Sequence, residues 1–251
     1  MHRQFCSDFL ILRQAENNLS GSITPEFSVL SSLKEVKFFT NSLTGSLPSL
    51  VGFTDLTIFD VEVNSFTGPA FRDLSEVTNL KSYLVSGNML TGTIPEEVGT
   101  LGVLENLWMV ENEITGTIPA SIGGAINLKH LWLGENRVAG QIPSEMQGLV
   151  NLESFYANSN DLTGTLPADF IQSSNFNSLR LHNNNLQGSI PSLAIPGLRE
   201  LWLQNNTFTG TIPSSLASAS SLGTTILNLT VRIFRTTAYH VLILHRVLVA
   251  W

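Results

Sequence analysis

The chain has 251 residues, 43% of them hydrophobic, enough to bury a sizeable core in one large domain or two small ones. Charged residues make up only 13%, and the net charge of −7 comes without any basic cluster, so nucleic acid lacks the grouped Lys and Arg it needs as a partner. The single cysteine, Cys6, rules out an intramolecular disulfide. That suits a cytosolic chain, or a piece of a secreted one whose paired cysteines lie elsewhere.

Residues 1–8 read as a truncated lead-in, with no long apolar run and no small-residue cleavage site to make a signal peptide. From Phe9 to Leu222 one pattern dominates. An asparagine returns at 17, 41, 64, 88, 112, 136, 160, 184 and 206, at intervals of 22 to 24 residues. A glycine keeps step four residues later, from Gly21 to Gly210, and nine of the ten prolines follow those glycines; only Pro196 falls out of register. Chance does not align three positions in nine copies, so the chain is a solenoid in which each copy buries its apolar face against its neighbours.

Two clean copies, LENLWMVENEITGTIP (Leu104–Pro119) and LKHLWLGENRVAGQIP (Leu128–Pro143), share the frame LxxLxLxxNxLxGxIP. The LxL core predicts a short strand whose alternate side chains point to opposite faces. Leu107 and Met109 should turn inward and Trp108 outward. The asparagine should bond buried backbone of neighbouring turns, with rungs at Asn41, Asn64, Asn88, Asn112, Asn136, Asn160, Asn184 and Asn206. Glycine allows a turn that a side chain would block, and proline ends the segment without needing a donor. Three places depart from the frame. Gln14 occupies an inward position, Pro69 directly follows Gly68, and the interval from Asn184 to Asn206 is short; local loop distortion is expected there.

Residues 223–251 leave the pattern. This apolar tail lacks acidic residues, and Arg232, Arg235 and Arg246 interrupt it, so it makes a poor membrane helix. Nowhere is there a clear membrane span. Two readings of the tail stay open: a cover for the end of the last repeat, or a terminus foreign to the natural product.

The frame resembles the plant-type leucine-rich repeat of plant receptor-like kinases, receptor-like proteins and polygalacturonase inhibitors. The resemblance implies an α/β right-handed horseshoe of about nine 24-residue repeats, with a parallel sheet on the concave face and short 3-10 or irregular convex segments. It implies an extracellular or cell-surface location. The family usually carries paired-cysteine caps, which a chain with one cysteine lacks, as expected of a fragment of a longer protein. It further implies a binding module for protein or peptide, or for a glycan, with no cofactor. Alternatives are an inhibitor of a carbohydrate-active enzyme and a truncated product without independent function.

The middle residues of the strands should line the concave face: Lys37, Asp60, Leu84, Trp108, Trp132, Tyr156, Arg180 and Trp202. Asn158 and His182 stand in the next outward row, and Glu111 and Glu135 form an acidic edge. These aromatics either anchor a ligand or stack on one another along the strands. Asn18, Asn205 and Asn228 open glycosylation sequons. His130 and His182 lie two turns apart with no carboxylate pair, which is not a metal-ligand set, and Cys6 has no evident base. Nothing assembles a nucleophile, base and stabiliser, so no enzyme is expected.

Overall fold

In the computed structural model, residues 11–193, 195–218, 227–229 and 242–244 are described. The lead-in, Cys6 and most of the tail lie outside them. Nine three-residue strands follow the LxL cores: β1 (Ile11–Arg13), β2 (Glu35–Lys37), β3 (Ile58–Asp60), β4 (Ser82–Leu84), β5 (Asn106–Trp108), β6 (His130–Trp132), β7 (Ser154–Tyr156), β8 (Ser178–Arg180) and β9 (Glu200–Trp202). They pair in chain order, all parallel, in one sheet. Leu227–Leu229 continues that sheet beside β9, and Leu242–Leu244 closes it antiparallel.

Alternation sorts the side chains as expected. Leu107, Met109, Leu131, Leu133, Phe155, Leu179 and Leu181 are buried, and the residues between them face out. The asparagine rungs run from Asn41 to Asn206. Asn136 is typical. Its amide nitrogen donates to Met109, Leu133 and Gly134 carbonyls at 2.8–3.1 Å, and its Oδ1 accepts the Ile114 N–H at 2.9 Å. One side chain thereby satisfies partly buried main-chain groups of two turns. Among the described residues, Asn17 in the first copy bonds the Ala15 carbonyl and is exposed.

Two features were not legible in the repeat frame. The residue before each asparagine adopts the left-handed conformation: Glu16, Thr40, Val63, Glu111, Glu135, Ser159, Asn183 and Asn205 have φ of 53–57°. Only in the fourth copy does a glycine, Gly87, hold this place. The chain thus leaves each strand by a turn that side chains resist. Second, the stretch around the repeat glycine, expected as a simple turn, pairs into further parallel strands. Ser20–Ser22, Ser42–Ser46, Ser65–Pro69 and Met89–Thr91 form one flanking sheet, and shorter pairs and bridges continue the line to Thr207–Thr209.

On the convex side, helical segments among the described residues are short and 3-10, such as Glu96–Thr100, Ala120–Gly124 and Ser144–Gly148. They pack so closely that a Cβ on Gly123 would lie 2.1 Å from the Glu145 carbonyl oxygen. The irregular third copy has a core reason. Where Ala70 and Phe71 replace the usual Ile-Pro, the Ala70 carbonyl accepts the hydroxyl of Tyr83, a tyrosine in an inward strand position. Tyr83 stacks between Phe59 and Phe71, each 5.6 Å away.

Candidate binding face

The last residues of β1–β9, each the x of an LxL core, stand in register along the concave face: Arg13, Lys37, Asp60, Leu84, Trp108, Trp132, Tyr156, Arg180 and Trp202. Strand neighbours lie about 4.8 Å apart, close to ring-stacking distance, so flat side chains at successive turns meet face to face. Trp108 and Trp132 stack at 4.1 Å and 11°, and Trp132 and Tyr156 at 5.0 Å and 13°. The Arg180 guanidinium continues the column, 4.3 Å from the Tyr156 ring and 4.9 Å from that of Trp202. The result is one unbroken column of five planar groups, each half-buried.

Of the two readings of these residues, the ladder describes their mutual arrangement. The column is also held from the side. Trp132 Nε1 donates to Ser154 Oγ at 2.8 Å, which also meets His130 Nδ1 at 2.9 Å. Arg180 Nε donates to Glu200 at 3.0 Å, and Glu200 accepts the Ser178 hydroxyl. Ser178 in turn lies 3.1 Å from the Tyr156 hydroxyl. These partners occupy the outward position two residues before the column, which sequence reasoning did not single out.

The structure brings His182 to the same place, its ring 5.2 Å from Trp202. Burial, with the adjacent Arg180 charge, holds the His182 imidazole below its ordinary pKa. Asn158 is half-buried in the same row. Glu111 and Glu135 are exposed at the left-handed turns, on the rim rather than beside the column. Asn18 and Asn205 are exposed, Asn205 donating to Asn183 at 2.7 Å. The side chain of Asn228 lies outside the described residues.

One expected surface position is recessed. Asp60 was placed on the open face, yet it is only 7% exposed, closed in by its neighbours on the strand ladder. Burial pushes its carboxyl up, and does the same to Glu62 in the next row. The signal was present in the stretch IFDVEV, where two acids alternate with apolar residues.

A leucine-rich-repeat family profile matches residues 127–149 and 197–219. Among solved structures, the chain is similar to a plant peptide hormone receptor, RGFR1, in complex with RGF2: TM-score 0.76, 33% identity, over 81% of this chain and 33% of that one. It is also similar to the ectodomain of the plant membrane receptor kinase GASSHO1/SCHENGEN3 from Arabidopsis thaliana, in complex with CASPARIAN STRIP INTEGRITY FACTOR 2: TM-score 0.79, 35% identity, over 84% and 26%. A third likeness is to a plant ice-binding protein: TM-score 0.71, 27% identity, over 81% and 66%. The chain thus spans a third or less of the two receptor chains. No curated protein sequence matches it.

Proposed function

We propose that this chain, a plant-type leucine-rich-repeat protein resembling receptor-kinase ectodomains, is a non-catalytic module that binds an extended peptide along its concave face, outside the cell or at its surface. The observation that carries this reading is the column from Trp108 to Trp202. Its groups are fixed by stacking and by the Ser154 and Glu200 bonds before any ligand arrives, so binding orders few side chains. Because ring faces cover one another along the column, the inner groups present only their edges. Edges and the polar groups beside them suit peptide carbonyls and side chains, whereas sugars need open aromatic faces. The structural likeness to a plant receptor solved with its peptide hormone supports the same choice. Among the described residues, no helix is long and apolar enough to cross a membrane.

A synthetic peptide library displayed against the chain tests the proposal. Bound peptides should lose at least tenfold in affinity to Trp132→Ala, about 1.4 kcal/mol. Binding insensitive to that change would remove the column from the site. Capture of polysaccharide hydrolases instead of peptides would favour the inhibitor role.

The flanking sheet supports a second reading. Thr91, Thr93, Thr115, Thr117, Thr163, Thr165, Thr209 and Thr211 are all exposed, forming two ranks of hydroxyls either side of the repeat glycine. Such an uncharged array, interrupted by Ala139 and Gln141 and by Gln187 and Ser189, can order water, and one similar structure is an ice-binding protein. Growth of ice crystals in the presence of the chain decides. Growth unchanged by the parent chain would end this reading, as would suppression that survives replacing Thr115 and Thr117 by Lys.

A further inference from the structure

The N-terminal half of the concave face carries a second feature. Asp60 ends β3, and Glu62 follows two residues on, also outward, about 6.6 Å further along the backbone. Asp60 accepts only the Glu62 N–H, at 3.3 Å. Lys37, its neighbour on β2, is taken by Glu35 at 3.1 Å, and Arg13 binds the same Glu35 at 2.9 Å. Among the described residues, the other ion pairs join Lys129 to Glu105, Arg137 to Glu113 and Arg180 to Glu200, so neither Asp60 nor Glu62 has an ion-pair partner, although the Lys37 charge lies near enough to oppose the rise in the Asp60 pKa. Beside Glu62 on the next strand's continuation, the Ser86 hydroxyl is buried and makes no hydrogen bond of ordinary geometry, though it lies near enough to temper the rise in the Glu62 pKa. Phe39 and Leu84, both half-buried, wall the recess on either side.

Two recessed carboxylates without an ion pair are costly in a free chain and favourable once a cation arrives. We infer that Asp60, Glu62 and Ser86 form a receptor site for an arginine side chain of the bound peptide. This rests on the peptide reading above. A planar guanidinium has donors on both edges and can meet Asp60 with one and Glu62 with the other, while Ser86 Oγ accepts a remaining N–H. The apolar walls cover its faces and methylenes. The site lies two strands from Trp108, so the arginine would fix the peptide's direction and register on the column.

The test uses the full isotopically labelled chain and N-acetylarginine methylamide as probe, with its uncharged citrulline counterpart as control. Amide shifts at Glu62 and Ser86 should titrate with the arginine probe and not with citrulline. The double variant Asp60→Asn, Glu62→Gln should bind at least fivefold more weakly, with Glu62→Gln alone as the test should the double variant misfold. Equal affinity of parent and variant, or equal binding of citrulline, would overturn the inference. A peptide library read in parallel separates this from the wider proposal. Concave-face binders without preference for basic residues would sink the recess and leave peptide binding standing. Arginine-probe binding lost in the variant, with no library binder, would support the recess and sink the peptide column.

Discussion

Single residues carry the repeat. Asn136 satisfies main-chain groups of two turns, so Asn136→Ala should cost about 1–3 kcal/mol in denaturant titration, whereas Asn158→Ala, outside the ladder, should be nearly neutral. The left-handed position before each rung has a cost of its own. Val63 is β-branched and exposed at φ 53°, the least suited of the set, so Val63→Asn should stabilise by roughly 0.5–1 kcal/mol. A destabilised variant would show that Val63 packs in a way its exposure conceals. Asp60 gives a pH signature. Its folded-state pKa is raised, chiefly by burial, with Lys37 opposing, so the stability it contributes is full below its unfolded value of about 4 and is lost as pH rises through the raised one. Asp60→Asn, which does not ionise, should therefore be more stable than the parent at neutral pH, with the difference closing in acid.

At the scale of elements, strand positions, inward and outward faces and the asparagine rungs were legible because they depend on alternation and periodicity alone. The flanking strands were not, because a Thr-Gly-Thr stretch has no apolar alternation and pairs only when neighbouring turns present matching edges. The aromatic column was half legible: the outward row could be counted, but stacking depends on rotamers that sequence does not encode. Its consequence is that Trp132 matters to stability as well as to binding. Removing it breaks two stacked contacts and the bond to Ser154, so Trp132→Ala should lower stability by about 2 kcal/mol and abolish the coupled-tryptophan signal in near-ultraviolet circular dichroism. Ligand contact and ladder packing, first set as alternatives, are compatible in one row.

For the whole molecule, each turn touches chiefly the turns before and after it, so stability should be distributed along the axis. Excising residues 113–136, one whole 24-residue period, should leave a folded, shorter solenoid with the same low helical signal; collapse to an unfolded chain would mean the turns are not interchangeable. The central claim is that the concave face, from the Asp60 recess to Trp202, receives an extended peptide. Mapping the amide shifts caused by the tightest library peptide tests this most directly. The account expects a continuous track along β3–β9, centred on Trp108, Trp132 and Tyr156. A track confined to the threonine-rich flanking sheet or the 3-10 side would contradict it.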